Sequence, residues 1–340
     1  MIWLSVFVIS IFTLFWSGSR LVKSIAGIAK YLGWSEFVVA FFIVAFVGAA
    51  PNFFVGVNAA LQGLPELSFG EIVGGTVVDM TLAVALAILI SGNAIPVKSK
   101  MVQDSAIFTA VIAILPLFLI LDGGLARIDG MVLMLAFAVY MVWLFSKEER
   151  FRKKYEVSEN GKAVKNSKVR LFEFVKPNNG KSYKEIKQFK SFLKDLLRSF
   201  YCAALILVAS FGVVASARVF AGYLGASVSV IGILVVGLGN AFPETYFAVI
   251  SALKRKTWMI LGDLMGTVIV CSTFVLGLVV LINPIENVDL SPFIIARVFL
   301  LISALLFLLF VKTDRKITKT EAVILLSIYL IFLFTVLAFQ

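Results

Sequence analysis

The feature that most constrains this chain is an apolar stretch that occurs twice. A shift of 192 positions places residues 47–81 over residues 239–273 without a gap. Both copies are apolar enough to lie in a membrane, yet both carry an acid at the same place, Glu71 in the first copy and Asp263 in the second. Ionisable residues at membrane depth are costly and mark transport or catalytic sites. The duplicated stretch is therefore the predicted centre of the molecule.

Composition places the whole chain in a membrane. Of its 340 residues, 61% are hydrophobic, and the mean hydropathy is +1.01, values that soluble domains do not reach. Segments of about 20 apolar residues cross a bilayer, and ten are predicted. They are residues 1–19, 36–61, 68–92, 104–121, 129–146, 199–221, 227–252, 258–282, 291–311 and 321–339.

The basic residues predict the orientation of these spans. Lys and Arg collect in cytoplasmic connections, and the odd-numbered connections hold 28 of the 31 basic residues. We therefore expect both termini to lie outside, with the protein in the cell membrane. Because five spans separate the two copies, the copies cross the membrane in opposite directions. The predicted fold is an all-α polytopic membrane protein with ten transmembrane helices arranged as two inverted five-helix repeats.

Three parts of the chain follow from this layout. Residues 1–146 form the first half, with repeat 1 at about 44–83, and residues 199–340 form the second half, with repeat 2 at about 236–275. Residues 147–198 form a basic cytoplasmic loop, interpreted as a solvated linker or as a regulatory segment for lipid or a partner. Its end, Tyr183–Phe200, has the apolar spacing of an amphipathic helix on the inner membrane surface. Since the excess positive charge lies in this loop, nucleic acid is not a predicted partner.

Each copy also predicts one half of an ion site. Residues spaced i, i+4 and i+8 share one helix face, and here they are Glu71, Gly75 and Asp79 in the first copy and Asp263, Thr267 and Cys271 in the second. Pro51 and Pro243 interrupt the preceding helices. Carbonyls freed there, together with carboxylates, suit hard cations such as Ca²⁺ or Na⁺. The alternatives are that these prolines only kink the helices, and that the Gly-xxx-Gly pairs at Gly70 and Gly262 only permit close packing.

At these residues the sequence resembles the calcium/cation antiporter superfamily, which includes the sodium/calcium exchangers. The family mark is a pair of elements, G-T-S-x-P-E and then G-N-x-x-G-S-N-x-x-N/D, present in each of two inverted repeats. The matching elements here are Val47–Asn52 and Gly70–Asp79 in the first copy, and Gly239–Glu244 and Gly262–Cys271 in the second. The resemblance covers nearly the whole chain and implies the ten-span fold and cation antiport.

The resemblance also implies a set of ion ligands, from which this chain departs in part. The family's acid after each proline falls on Asn52 and Glu244, and the residues that close each second element are Asp79 and Cys271. The family's hydroxyl positions become Gly48 and Asn240, among others, whereas Thr267 is retained. Glu71 and Asp263 are acids where the family usually has Asn. All nine residues are the predicted cation ligands.

The predicted function is a secondary antiporter that exchanges Ca²⁺ for Na⁺ or H⁺. One alternative is a cation/proton exchanger for another cation, with Glu71 and Asp263 as proton carriers; another is a non-transporting cation sensor. An intramembrane aspartyl protease is rejected, because Ile260 stands where its G-x-G-D element needs glycine. The predicted partners are inorganic cations and the lipid bilayer. No cofactor is predicted, and the sequence makes no prediction of oligomeric state.

Overall fold

The computed structural model describes residues 2–32, 44–97, 100–158, 182–254, 257–286, 291–313 and 316–338. These residues form a helical bundle with two short strands. The helices are α1 (Ile2–Tyr31), α2 (Val44–Gly48), α3 (Ala50–Leu61), α4 (Pro65–Val78), α5 (Val84–Ser91), α6 (Lys100–Leu119), α7 (Arg127–Ser158), α8 (Ser182–Leu224), α9 (Val228–Ile231), α10 (Gly237–Asn240), α11 (Phe242–Leu253), α12 (Thr257–Val270), α13 (Leu276–Ile282), α14 (Ser291–Lys312) and α15 (Lys319–Ala338). The strands are β1 (Ile95–Pro96) and β2 (Lys316–Ile317), which pair antiparallel.

Nine helical segments of the described residues are long and apolar enough to cross a membrane. They correspond to nine of the ten predicted spans. The exception is the second, 36–61, whose residues 36–43 lie outside the described residues and whose remainder forms the short helices α2 and α3. The all-helical membrane fold is therefore confirmed, with ten as an approximate number of spans.

The predicted repeat reappears helix by helix. Helices α3 and α4 begin and end 192 residues before α11 and α12, as the positions 50–61 and 242–253, and 65–78 and 257–270, show. Between α4 and α5 lies a π-helical turn, Asp79–Ala83, and its counterpart Cys271–Val275 lies between α12 and α13. Wide π turns within α-helices are rare and occur mostly at functional sites. Here the two π turns begin at Asp79 and Cys271, which are both predicted ligands.

One long helical segment from each repeat lies at the centre of the bundle. In the segments Pro65–Ser91 and Ile260–Ile282, 78% of the most apolar window is buried, against 22% in α1 and in the membrane part of α7. The peripheral helices leave large apolar side chains exposed, such as Val142 and Leu135 on α7. Such faces are expected to contact lipid, because lipid tails solvate them as well as a protein core does.

Glycines let α4 pack directly on the backbone of the segment from α9 to α10. A β-carbon on Gly70 would lie 2.4 Å from the carbonyl oxygen of Ser229, and one on Gly74 would lie 2.1 Å from that of Ile233. The contact is reciprocal, since a β-carbon on Gly232 would lie 2.5 Å from the carbonyl oxygen of Leu67. Gly70 therefore does permit close packing, which was one of the alternatives considered for it. This packing also positions Glu71, the next residue of α4.

The segment predicted as a cytoplasmic loop is helical at both described ends. Helix α7 continues to Ser158, and α8 begins at Ser182 and runs without a break for 43 residues. The predicted surface helix Tyr183–Phe200 is therefore the first part of α8 and not a separate helix, because no Gly or Pro interrupts the sequence there. It packs antiparallel along α1, with the Tyr31 and Phe192 rings stacked 4.7 Å apart. Residues 159–181 lie outside the described residues.

Candidate functional site

The two predicted helix breaks are present and short. One residue, Ala49 or Ala241, separates α2 from α3 and α10 from α11. Pro51 and Pro243 occupy the first turn of α3 and α11, where a helix does not need the missing N–H. The breaks lie beside the π turns of the opposite repeat, so the polar residues that flank them point at the junction of the two repeats.

A small cavity lies at this junction. Its volume is about 10 Å³, enough for roughly one water molecule or an ion of similar size. Residues from both repeats line it, and five of them are predicted ligands. These are Asn52, Glu71, Asp79, Asn240 and Cys271.

Two hydrogen bonds cross the cavity and join the repeats. The Asn240 side-chain amide donates to Glu71 Oε1 at 2.5 Å. The Asn52 amide donates to Cys271 Sγ at 3.2 Å. Each bond connects a residue at a helix break of one repeat to the central helix of the other.

A wider vestibule leads towards the same junction. Its volume is about 540 Å³, and Gly48, Glu244 and Asp263 line it together with residues of α1. Glu244 and Asp263 are buried, so they form its inner end. Its rim is basic, since the exposed side chains of Arg20 and Lys254 line it.

Helix α1 is the part of this site that the sequence reasoning missed. Trp16 lines the vestibule and carries the Arg20 guanidinium over its ring, 3.8 Å from the centroid. Lys23 lies one turn further along the same wall. In the sequence, Arg20 and Lys23 indicate only a cytoplasmic connection, and nothing in α1 marks it as a neighbour of the repeats.

Eight of the nine predicted ligands line one of the two cavities. Five line the central cavity, and Gly48, Glu244 and Asp263 line the vestibule. Thr267 is buried on α12, one turn from both Asp263 and Cys271. Glu71 and Asp263, which occupy equivalent positions in the repeats, line different cavities.

Many oxygen atoms of these residues are buried without a hydrogen-bond partner among the described residues. They are Asn52 Oδ1, Glu71 Oε2, Asp79 Oδ1, Asn240 Oδ1, Glu244 Oε2 and Thr267 Oγ1. Buried polar atoms are normally paired, because leaving one unpaired costs about 1–3 kcal/mol. Six unpaired oxygens at one junction indicate a site for a ligand that accepts electron pairs.

The site also has an unbalanced negative charge. The side chains of Glu71, Asp79, Glu244 and Asp263 are each at most 7% exposed, and within the described part of the chain no Lys or Arg forms an ion pair with them. A cation or bound protons must therefore neutralise them. No three Asp, Glu, Cys or His side chains of the described residues are grouped as a metal site. A cation bound in this conformation would need amide, hydroxyl or backbone oxygens as well.

This arrangement defines a class of protein. Inverted repeats of membrane helices, broken near the midplane and lined there with acids, are the architecture of a secondary transporter. The sequence model of the family described as sodium/calcium exchanger protein matches residues 2–146 and 195–338. The chain belongs to this family.

Individual relatives agree with this assignment. The chain is 26% identical to the sodium/calcium exchanger MaX1 of Methanosarcina acetivorans, over 92% of each chain. It is 23% identical to an uncharacterized membrane protein of Methanocaldococcus jannaschii, over 96% of this chain and 95% of that one. Solved structures of the sodium-calcium exchanger NCX_Mj match its fold with a TM-score of 0.61, at 22% identity and over 97% of both chains.

Proposed function

We propose that this protein is a secondary antiporter that exchanges Ca²⁺ for Na⁺ or H⁺ across a membrane. The observation that carries the proposal is the group of six unpaired buried oxygens at the repeat junction, three of which belong to acids without a basic partner among the described residues. Carboxylate, amide and hydroxyl oxygens are the ligands that Ca²⁺ prefers. Na⁺ ions or protons can neutralise the same acids in the second half of the cycle. The name of the relative MaX1 favours Na⁺ as the coupling ion.

The two cavities support a mechanism of alternating access. The vestibule is wide, whereas the central cavity is small and most of its lining residues are buried. The basic rim at Arg20, Lys23 and Lys254 favours the cytoplasm as the side of the vestibule. In this interpretation the termini lie outside the cell membrane and the structure faces inward. Movement of one repeat against the other would then expose the site to the other side.

A second candidate is an exchanger for a cation other than Ca²⁺. The observation in its favour is Cys271, whose thiol lines the central cavity where a carboxylate would suit Ca²⁺ better. Sulfur is a soft ligand, and Ca²⁺ is a hard cation. Asn52 removes a further carboxylate from the position opposite. A cation sensor that does not transport would share this site.

Flux measurements separate these candidates. The purified protein is reconstituted into liposomes, and uptake of radiolabelled Ca²⁺ is followed under an imposed Na⁺ gradient, an imposed pH gradient or neither. Uptake driven by one gradient supports the antiporter and identifies its coupling ion. Ca²⁺ binding without uptake under either gradient indicates a sensor. If Ca²⁺ is neither bound nor taken up, and a gradient drives uptake of Mn²⁺ or Cd²⁺, the protein is an exchanger for another cation.

A further inference from the structure

The two repeats make the same contact twice, but only one copy has the side chain that completes it. A shift of 192 positions places Gly48 over Asn240 and Glu71 over Asp263. In the structure the Asn240 amide donates to Glu71 at 2.5 Å. At the equivalent place, a β-carbon on Gly48 would lie 3.9 Å from Asp263 Oδ1. A side chain at position 48 would therefore lie close to Asp263, and glycine provides no amide there.

Glu71 and Asp263 therefore have different surroundings. One oxygen of Glu71 accepts a hydrogen bond from the Asn240 amide, and Glu71 lines the central cavity. Asp263 lies at the inner end of the vestibule beside Glu244, and at the place equivalent to Asn240 it faces Gly48, which has no side-chain amide. A cation that enters the vestibule therefore meets an acid with no amide bound to it. A cation that approaches Glu71 finds one of its two oxygens already bound by the amide of Asn240.

We propose that Asn240 and Gly48 set an unequal cation affinity on the two sides of the membrane. Asn240 acts as a positioning residue that is hydrogen-bonded to Glu71. It weakens cation capture on the side of the membrane opposite the vestibule, where the inverted repeat places Glu71. Gly48 leaves Asp263 free to be the first ligand on the vestibule side. This inference rests on the proposed cation antiport. The expected difference in apparent KM is about tenfold, which corresponds to one hydrogen bond to a charged group.

Exchanging the two residues tests the proposal. Apparent KM for Ca²⁺ is measured on each side of the membrane with vesicles of both orientations, for wild type, Asn240→Gly, Gly48→Asn and the double variant. The vestibule side is identified by a membrane-impermeant thiol reagent and Ser19→Cys, since Ser19 lines the vestibule. In wild type, the apparent KM for Ca²⁺ is expected to be lower on the vestibule side than on the opposite side. In the double variant, the lower KM is expected on the side opposite the vestibule.

Two matched variants separate the amide from bulk. Asn240→Gln keeps an amide and should retain the wild-type ratio of the two KM values, whereas Gly48→Ala adds a β-carbon without an amide and should also retain it. No other atom of the described residues lies within 4 Å of a β-carbon at Gly48, so a β-carbon can be added there. Equal KM values on the two sides in wild type, or an unchanged ratio in the double variant, would overturn the inference.

Equilibrium binding of Ca²⁺ to the protein in detergent distinguishes failure of this inference from failure of the proposed antiport. Asn240→Gly should tighten binding about tenfold and Gly48→Asn should weaken it about tenfold. If wild type binds Ca²⁺ without transporting it, the antiport proposal fails, while these shifts still support the role of the two residues. If affinity is the same in all variants, or if no Ca²⁺ binds, the inference about Asn240 and Gly48 is refuted.

Discussion

A β-carbon at Gly74 would make one of the closest backbone contacts in the described part of the chain. In Gly74→Ala, the new β-carbon would lie 2.1 Å from the backbone oxygen of Ile233. A carbon and a carbonyl oxygen normally approach no closer than about 3.3 Å. The obstacle is backbone, which cannot rotate away as a side chain does, so α4 must move from its partner by roughly 1 Å.

The cost of this movement can be estimated. Overpacking a buried contact costs about 1–3 kcal/mol, and replacing Gly by Ala in a helix returns up to about 1 kcal/mol. We therefore expect Gly74→Ala to lose about 1–2 kcal/mol of stability. The same movement separates the residues of the two repeats that line the central cavity, so cation exchange should fall as well.

Thermal unfolding of the detergent-solubilised protein, followed by tryptophan fluorescence, measures the loss of stability. Gly222→Ala is the matched control, because Gly222 lies in α8 and a β-carbon there has no neighbour within 4 Å. Gly222→Ala should leave Tm unchanged or slightly raised, whereas Gly74→Ala should lower Tm by several degrees. If both variants unfold at the wild-type temperature, α4 is not packed on the backbone of α9 and α10 as described.

Three further predictions concern the site and the topology. Glu244→Gln should abolish ion exchange with unchanged Tm and gel-filtration profile, because a buried ligand acid is lost without a change of shape; wild-type flux would remove Glu244 from the site. Cys271→Asp should increase Ca²⁺ affinity, since it adds an oxygen ligand, while Cys202→Ser, outside the site, should not; an unchanged or lower affinity in Cys271→Asp argues against a cation beside this residue. Ser158→Cys should resist an impermeant thiol reagent added to intact cells, whereas Ser227→Cys should react; the reverse pattern would invert the topology.

The internal repeat allowed an accurate prediction of the central helices. Duplicated segments with the same apolar pattern fold alike, and the boundaries of α3 and α4 recur at α11 and α12 with the offset read from the sequence. Proline has a local effect on the backbone, so Pro51 and Pro243 marked the helix breaks to within a few residues. The predicted ligands also lie at the repeat junction, because helical spacing alone places Glu71 and Asp79 on one face.

Other features depend on which helices are neighbours. The amide of Asn240 reaches a carboxylate 169 residues away in the chain, and Trp16 and Arg20 form a vestibule wall although α1 lies outside both repeats. Helical periodicity shows which residues share a face and does not show which helix packs against that face. The sequence also did not predict that the ligands of one ion site would divide between a small central cavity and a wide vestibule.

The sequence by itself determined the membrane location, the duplicated and inverted architecture and the acidic character of the centre. These follow from hydrophobic length, from an internal repeat and from the cost of placing charge in lipid, all of which are properties of local segments. Only the tertiary structure decided that Glu71 is held by an amide while Asp263 faces the vestibule. The physical reason is that equivalent residues acquire different surroundings when two similar halves pack against each other in one asymmetric conformation.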